Sequence, residues 1–318
     1  MRVGVFGASG FLGSWICRVL SEDHYVSAIL RTTSSEFRLQ NIDNISIRRI
    51  NDSELENFFN SFAFDVLILC DWEGVSNVER NKPEQLENVE RQLHVAKLAI
   101  AAGIESIVGI GSQAELGPTY GPISDSHKDG ATTSYGKAKI AARLALQEVS
   151  ELTQTRFIWL RVFSTYGPLD TGNWLIPQVV DSILAGREIL LTKCEQNWNY
   201  LHAYDLARAV KFVIEDSGSS GVFNVGDLQT VKLKKLMKYI GEVLNAEDLL
   251  KFGVIEYRHD QVMELNPRCE KLVGLGWEPL ISLNEGINQT IIWLKGEDQK
   301  PVLNKYSHEL FFSLPNRS

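Results

Sequence analysis

The sequence lacks the features that would assign it to a membrane, to an oxidising compartment or to a nucleic-acid complex. None of its apolar runs reaches the roughly 18 residues of a membrane-spanning helix. Its four cysteines are widely separated and form no CxxC pair, so neither a disulfide framework nor a zinc site is indicated. Acidic residues outnumber basic ones by 40 to 32, and the net charge of −8 disfavours binding to a phosphate backbone. We therefore expect no metal ion, no membrane contact and no nucleic-acid partner.

The composition is that of an ordinary globular protein, with 44% hydrophobic and 23% charged residues and without repeats or low-complexity segments. A strand-like run starts at Arg2, which leaves no room for a signal peptide, so we expect a cytoplasmic protein. The length of 318 residues suggests about two domains.

Short apolar runs alternate with amphipathic stretches in the first half of the chain. The pattern predicts strands at 2–6, 25–30, 45–50, 66–70, 106–110 and 156–162, and helices at 11–22, 55–62, 83–102 and 134–151. Such alternation forms right-handed β-α-β units, which build a parallel sheet with helices on both faces. Helices dominate the rest of the chain. We therefore predict an α/β protein, with a doubly wound parallel sheet in residues 1–167, some return to it from about 200–230, and a smaller, mostly helical lobe in 168–318.

The first candidate site is a glycine-rich turn between the first strand and the first helix. Gly7, Gly10 and Gly13 form a GxxGxxG pattern there. Glycines let the backbone approach a pyrophosphate, and the amino terminus of a helix offers free N–H groups and the positive end of its dipole. The sequence therefore predicts a dinucleotide-binding turn, which consists of Gly7, Ser9, Gly10, Phe11, Leu12 and Gly13.

A second candidate site combines a helix with the end of a strand. Tyr135 and Lys139 are four residues apart, so they share one face of the predicted helix. An ammonium group close to a phenol lowers the pKa of the phenol, which lets Tyr135 exchange a proton near neutral pH. Ser112 follows the strand at 106–110, at the edge where open parallel sheets bind ligands. Its hydroxyl is placed to hydrogen-bond a substrate oxygen.

These residues, in this order and spacing, resemble the extended short-chain dehydrogenase/reductase family, in its branch of nucleotide-sugar epimerases, dehydratases and reductases. The resemblance covers residues 1 to about 290 and continues at 161–168 (RVFSTYGP), 198–205 (WNYLHAYD), 221–226 (GVFNVG) and 275–279 (LGWEP). Ser164 stands where the family has asparagine, and Trp198 where it commonly has arginine. The resemblance implies a Rossmann-type sheet and a homodimer that pairs the helices at 83–102 and 134–151.

The resemblance also implies roles for individual residues. Tyr135 exchanges a proton with the substrate oxygen, Lys139 lowers the pKa of Tyr135 and holds the nicotinamide ribose, and Ser112 hydrogen-bonds the reacting oxygen. Further residues expected at the cofactor are Asp52, Cys70 and Asn88. Those expected at the sugar nucleotide are Gln113, Ser164, Trp174, Trp198 and Arg258, the last of which resembles an arginine that contacts the diphosphate.

Dehydration is disfavoured within this branch. Dehydratases of the family carry an Asp-Glu pair just after the serine or threonine position, where this chain has Gln113 and Ala114. An amide and a methyl group do not titrate, and Glu115 lies one residue too late.

The end of the second strand indicates the cofactor. NAD sites place an acidic residue there, which binds the ribose 2′-hydroxyl. This chain has Arg31 instead, with Arg38 nearby and hydroxyl residues between them, and that set suits a 2′-phosphate. We therefore predict NADP(H) rather than NAD.

The cofactor in turn favours one reaction, because a net reductase consumes NADPH whereas an epimerase recycles a tightly held cofactor. The favoured reaction is the NADPH-dependent reduction of the C4 keto group of a nucleoside-diphosphate-4-keto-6-deoxyhexose. A nucleotide-sugar 4-epimerase and a non-catalytic NADP-binding sensor stay open as alternatives. The nucleotide stays open among dTDP, CDP, UDP and GDP.

Overall fold

The computed structural model describes residues 1–76, 78–172, 174–258 and 261–296, together with short strands at 302–303 and 309–310. The rest of 297–318, which belongs to the predicted second lobe, lies outside the described residues. The strands are β1 Arg2–Phe6, β2 Tyr25–Arg31, β3 Ile45–Ile50, β4 Val66–Leu69, β5 Ser106–Ile110, β6 Pro122–Ile123, β7 Arg156–Val162, β8 Ser164–Tyr166, β9 Ile189–Leu190, β10 Asn197–Trp198, β11 Tyr200–His202, β12 Gly221–Val225, β13 Val231–Lys232, β14 Leu250–Lys251, β15 Asn266–Pro267, β16 Val302–Leu303 and β17 Glu309–Leu310. The helices are α1 Phe11–Leu20, α2 Leu55–Ser61, α3 Gln85–Ala101, α4 Ser134–Thr153, α5 Leu175–Leu184, α6 Ala203–Glu215, α7 Leu233–Val243, α8 Glu270–Gly274 and α9 Leu283–Leu294.

Seven of these strands form one parallel sheet in the order β12-β7-β5-β4-β1-β2-β3. The chain first moves outward from β1 through β2 and β3, then returns to β4 on the other side of β1 and continues outward. The strand order therefore reverses between β1 and β4, and ligands of such sheets bind beyond the carboxyl ends of the strands at that point. This topology confirms the predicted doubly wound, Rossmann-type α/β fold.

Helices cover both faces of the sheet. On one face α1 and α6 contribute Trp15 and Val210 to one apolar cluster. On the other face α2, α3 and α4 contribute Phe58, Val95 and Leu146 to a second cluster. Each helix therefore buries its apolar side against the sheet, which fixes the carboxyl ends of the strands in a rigid frame.

Strand β4 shows why its sequence is continuously apolar. Val66 and Ile68 belong to the first cluster, whereas Leu67 and Leu69 belong to the second. Successive side chains of a strand point to opposite faces, so a strand covered on both faces needs apolar residues at every position.

Several boundaries differ from the predicted ones. Helix α4 continues to Thr153 and ends where Gln154 adopts a left-handed φ of 58°. The short pairings β6–β15, β8–β11, β9–β14 and β10–β13 were not predicted, because strands of two or three residues carry no periodic signal. Strand β12 lies beside β7, so the second half of the chain adds one strand to the sheet. The division into lobes at 167 and 168 stays a prediction.

Of the helices in the described part of the chain, none has the length and apolar character to cross a bilayer.

Candidate active site

The glycine-rich turn joins β1 to α1 where the strand order reverses. Gly7 has a φ of 86°, and a Cβ there would lie 2.6 Å from the Asp71 nitrogen. A Cβ on Gly13 would lie 2.4 Å from the Gly7 oxygen, so only glycine fits at these two positions. Helix α1 begins at Phe11 with neither a side-chain cap nor an acidic residue in its first turn. The turn therefore fits a pyrophosphate, which its N–H groups would bind. The other residues predicted here, Ser9, Gly10 and Leu12, lie in the same turn.

The three predicted catalytic residues lie together beyond the carboxyl end of β5, and we call this set the reaction centre. Ser112 follows β5, and its side chain lies near enough to Tyr135, in the first turn of α4, to influence the pKa of the phenol. One turn later, Lys139 donates from Nζ to the Ile110 carbonyl oxygen at 2.7 Å. Only 7% of Tyr135 and 3% of Lys139 is exposed. The geometry suits the exchange of a proton with a bound substrate oxygen.

The pKa of Tyr135 is governed by burial of the phenol. Burial raises the pKa, and the interactions that oppose this shift are those with the Ser112 side chain and with the charge of Arg80. Burial also lowers the pKa of Lys139, to about 8. Lys139 does not contribute to the shift in the pKa of Tyr135, and its ammonium is directed to the Ile110 carbonyl. That Lys139 makes Tyr135 acidic stays a prediction.

Trp72 is a residue of the reaction centre that the sequence analysis missed. The Lys139 Nζ lies 3.6 Å from the centroid of the Trp72 ring, a cation–π contact. The Trp72 and Tyr135 rings meet edge to face at 6.0 Å, and the Trp72 Nε1 donates to Gln85 Oε1 at 2.8 Å. Its position just after β4, at the binding edge of the sheet, was the available signal.

Glu115 is fully buried, and its carboxylate contacts the backbone of Ser112 in the reaction centre. Its Oε1 accepts from the Ser112 nitrogen at 2.7 Å and from Trp159 Nε1 at 3.0 Å. Its Oε2 pairs with Arg161 Nε at 3.2 Å and Arg143 Nε at 3.9 Å. These structural contacts engage both oxygens of the Glu115 carboxylate, which follows the positions where dehydratases carry their acids.

Three residues predicted at the sugar nucleotide lie together on the other side of Ser112. The Ser164 Oγ accepts from Trp198 Nε1 at 2.9 Å and from Gln113 Nε2 at 3.4 Å. The Gln113 Oε1 is buried and has no hydrogen-bond partner within the described residues. A buried acceptor of this kind gains from a donor such as a sugar hydroxyl.

The other two residues predicted at the sugar nucleotide, Trp174 and Arg258, lie near an arginine that the sequence analysis also missed. The Arg80 guanidinium lies 5.4 Å from the Trp174 ring centroid and 5.0 Å from that of Tyr135. Arg258 is exposed and close enough for its charge to affect Arg80. No sequence motif marked Arg80, which lies in an irregular loop.

Beyond the ends of β2, β3 and β4 opens a cavity of about 380 Å³, which we call the outer cavity. Its lining includes Arg31, Asp52, Glu73, Asn88 and Arg91. Arg31 forms an ion pair with Glu73, and Arg91 Nη2 lies 3.3 Å from Asp52 Oδ1. Asn88 accepts from the Glu73 nitrogen at 2.8 Å and donates to its carbonyl at 3.2 Å. Three predicted cofactor residues therefore line this cavity. Two of them, Arg31 and Asn88, contact Glu73, an acid that the analysis of the second strand missed.

Arg38 and Cys70 were also predicted at the cofactor and do not line the outer cavity. Arg38 donates to the Leu169 oxygen at 2.9 Å, the Ser9 oxygen at 3.3 Å and Thr171 Oγ1 at 2.5 Å. The short 3₁₀ turn at Phe37–Leu39 directs this side chain across the glycine-rich turn, so it braces that turn. Burial raises the pKa of the Cys70 thiol to about 12, which keeps it protonated.

A model of the NAD dependent epimerase/dehydratase family matches residues 3–226. The dTDP-D-glucose 4,6-dehydratase of Homo sapiens is 23% identical over 315 residues, which cover 92% of this chain and 90% of that protein. The dTDP-4-dehydro-6-deoxyglucose reductase of Escherichia coli is 26% identical over 227 residues, 69% of this chain and 70% of that protein.

Two solved structures show the same fold. The UDP-N-acetylglucosamine 4-epimerase of Methanobrevibacter ruminantium M1, in complex with UDP-N-acetylmuramic acid, superposes with a TM-score of 0.81 at 21% identity, over 92% of this chain and 98% of that one. The Bordetella bronchiseptica enzyme WbmG, in complex with NAD, superposes with a TM-score of 0.78 at 21% identity, over 93% of this chain and 94% of that one.

Proposed function

Because the chain belongs to the NAD dependent epimerase/dehydratase family, we propose that it reduces the C4 keto group of a nucleoside-diphosphate-4-keto-6-deoxyhexose with NADPH. Family membership supports the coarser part of this statement, an enzyme that modifies a nucleotide sugar with a nicotinamide dinucleotide. The site residues support the finer part, the direction of the reaction and the choice of cofactor.

The placement of the Ser112 hydroxyl beside the buried Tyr135 phenol carries the proposal. Burial raises the pKa of Tyr135, so the phenol holds its proton at neutral pH. A carbonyl oxygen that gains an electron pair needs a proton, and a protonated phenol beside it is a general acid. Ser112 donates a second hydrogen bond that orients the same oxygen. NADPH, when bound, supplies the hydride that reaches the carbonyl carbon.

Three parts of the chain would hold the cofactor: the glycine-rich turn would bind the pyrophosphate, Lys139 the nicotinamide ribose and Arg31 the 2′-phosphate. Arg31 pairs with Glu73, and the side chains of both are substantially exposed, at 38% and 64%. Exposed ion pairs contribute little, so a phosphate dianion can replace Glu73 as the partner of Arg31.

The residues beyond Ser112 disfavour dehydration. Gln113 and Ala114 carry no titratable group, and Glu115 is engaged by Trp159 and Arg161. A substrate hydroxyl at this place would meet an amide rather than an acid, so the unpaired Gln113 Oε1 is proposed to accept a hydrogen bond from the sugar.

We also propose that the chain forms a homodimer through α3 and α4 and acts in the cytoplasm. Leu86 on α3 and Leu144 and Leu152 on α4 are exposed by 59%, 52% and 79%, which leaves apolar side chains for a partner helix. All four cysteines are free thiols, which fits a reducing compartment.

The test is the loss of NADPH absorbance with a panel of 4-keto-6-deoxy sugar nucleotides that carry dTDP, CDP, UDP or GDP. We expect turnover with at least one member and slower turnover with NADH. Binding of NADPH without oxidation across the whole panel would contradict the proposal and indicate a sensor.

One observation favours the second candidate, a 4-epimerase. The outer cavity contains Asp52, Glu73, Glu79, Glu84 and Glu87 beside its three basic residues, and acids near a ribose suit NAD. Purified protein that retains NAD and interconverts two sugar nucleotides without net oxidation of NADPH would establish the epimerase instead.

A further inference from the structure

Trp72 lies just after β4, and two side chains at the start of α3 fix its position. The indole Nε1 donates to Gln85 Oε1 at 2.8 Å, and the Gln85 amide nitrogen donates to the Gly74 carbonyl at 2.7 Å. One turn along α3, Asn88 accepts from the Glu73 nitrogen at 2.8 Å and donates to the Glu73 carbonyl at 3.2 Å. Both Gln85 and Asn88 are buried. The ring of Trp72 and the backbone next to it are therefore held by a network of buried hydrogen bonds.

The indole held in this way contacts both residues of α4 that take part in the proposed reaction. Its ring centroid lies 3.6 Å from the Lys139 Nζ, which also donates to the Ile110 carbonyl at 2.7 Å. Its ring meets that of Tyr135 edge to face, with an interplanar angle of 89°. Among the described residues Lys139 forms no ion pair. The position of its ammonium therefore depends on the Ile110 carbonyl and on the face of Trp72.

Burial makes this contact important for the ammonium of Lys139. Desolvation lowers the pKa of Lys139 to about 8, and the groups whose charges oppose this shift are Glu115, Cys70 and Asp71. The ring centroid of Tyr135 lies farther away, 5.8 Å from Nζ. An aromatic face attracts a cation through its quadrupole, most strongly where water is excluded. Unlike a carboxylate, the face offers no strong acceptor, so N–H donors of the ammonium stay available for a ribose hydroxyl.

We propose that Trp72 is a positioning residue, whose indole face holds the Lys139 ammonium at the Ile110 carbonyl and beside Tyr135. The effect on turnover rests on the proposed function, whereas the contact itself needs no ligand. Trp72 thereby fixes the group that would hold the nicotinamide ribose relative to the phenol that would supply the proton. The competing explanation is packing alone, because Trp72 also packs against the second apolar cluster.

The first experiment separates the charge distribution of the ring from its shape. Tryptophans with one, two or three fluorine atoms are incorporated at position 72 alone, which weakens the negative face stepwise and changes the shape little. The pKa of Lys139 is measured without ligand from the side-chain resonance in ¹³C-lysine-labelled protein, assigned by its absence from Lys139→Arg. The same fluorinated series at Trp277, which is buried in the first apolar cluster, is the matched control.

We expect the pKa of Lys139 to fall with each fluorine at position 72, by about one pH unit in total, because the charged form loses stabilisation. The series at Trp277 should leave this pKa unchanged. A pKa of Lys139 that does not follow the series at position 72 would overturn the inference, whether or not the protein reduces a 4-keto sugar nucleotide.

The second experiment measures NADPH-dependent turnover of Trp72→Phe, which keeps a smaller ring face, and of Trp72→Leu, which keeps apolar volume alone. We expect kcat to fall about tenfold in Trp72→Leu and less in Trp72→Phe, with little change in the KM for the sugar nucleotide, since orientation is lost rather than binding. Equal losses in the two variants would indicate packing alone and overturn the inference.

The two experiments keep the inference and the proposed function apart. A wild type that turns over no sugar nucleotide, with a pKa of Lys139 that follows the fluorine series, would contradict the proposed function and support the contact. Thermal unfolding checks the fold of each variant. The fluorinated rings keep the indole N–H that donates to Gln85, so they test the contact even if Trp72→Leu is unstable.

Discussion

The reaction centre and the outer cavity hold their charges in opposite ways. At the reaction centre Lys139 and its support Glu115 are 3% and 0% exposed. In the outer cavity the side chains of Arg31, Glu73 and Asp52 are 38%, 64% and 70% exposed. One end of the site therefore keeps its charges in a water-poor interior, and the other end keeps them in contact with solvent.

This difference determines what each end can do. Charges in a buried environment interact strongly, so their partners are fixed and a single proton can be placed at one atom. Exposed ion pairs are screened and contribute little, so their partners can be exchanged for those of a ligand. The reaction centre is therefore suited to a chemical reaction, and the outer cavity is suited to recognition of a cofactor that binds reversibly.

The Tyr135→Phe variant is the strongest test of the difference between the reaction centre and the outer cavity. This change removes one hydroxyl and keeps the ring that contacts Trp72 and Arg80. We expect turnover to fall by roughly 10²- to 10⁴-fold, the usual contribution of a general acid, while NADPH affinity stays nearly constant because the pyrophosphate site lies at the glycine-rich turn. Initial rates and a fluorescence titration with NADPH measure the two effects.

Tyr120→Phe is the control, since Tyr120 is 88% exposed. Near-wild-type turnover of Tyr135→Phe would exclude Tyr135 as the proton donor.

Glu115→Gln tests the claim that the reaction centre depends on buried pairing. The amide keeps a hydrogen-bond acceptor for Ser112 but removes the buried carboxylate that pairs with Arg161, which then keeps only the longer contact with Asp129 at 3.6 Å among the described residues. Breaking such a pair costs about 3 kcal/mol or more of unfolding free energy, which denaturant unfolding measures. The exposed Glu90→Gln on α3 is the control, with an expected change of at most about 0.5 kcal/mol. Similar stability of the two variants would mean that the buried charge network contributes no more than a surface residue.

The reaction centre was predictable from sequence because its signals are local. Tyr135 and Lys139 share a helix face, Ser112 follows an apolar strand at the binding edge of the sheet, and the resemblance to the family joins the two signals into one site. The pKa of Tyr135 was not predictable in the same way, because its sign depends on how deeply surrounding elements bury the phenol.

The outer cavity was harder to predict because its charges come from different loops. Glu73 lies between β4 and α3, in a stretch without helical or strand periodicity, and the order of the strands alone brings it to Arg31. Arg38 lies seven residues after Arg31, yet a 3₁₀ turn directs it to Leu169. Proximity in sequence was therefore a poor guide in this region, and knowledge of the turn geometry was needed.

The smallest expected effect belongs to the outer cavity and concerns Glu73→Gln. The change releases Arg31 from its exposed ion pair. Since such a pair contributes less than about 1 kcal/mol, we expect NADPH affinity to rise by about threefold. NADH affinity should not change, because NADH has no 2′-phosphate to meet Arg31. Fluorescence titrations at low salt measure both affinities.

Two further variants separate exchange of partners from a general change in charge. Glu84→Gln removes one acid from the same cavity without touching the ion pair of Arg31, so its effect on NADPH should be smaller. Arg31→Gln should lower NADPH affinity and abolish the gain from Glu73→Gln in the double variant, since both act through one contact. If Glu73→Gln and Glu84→Gln raise the affinity equally, or if the gain survives without Arg31, then the cofactor does not replace Glu73 as the partner of Arg31. The ion pairs of the outer cavity would then be as fixed as those of the reaction centre.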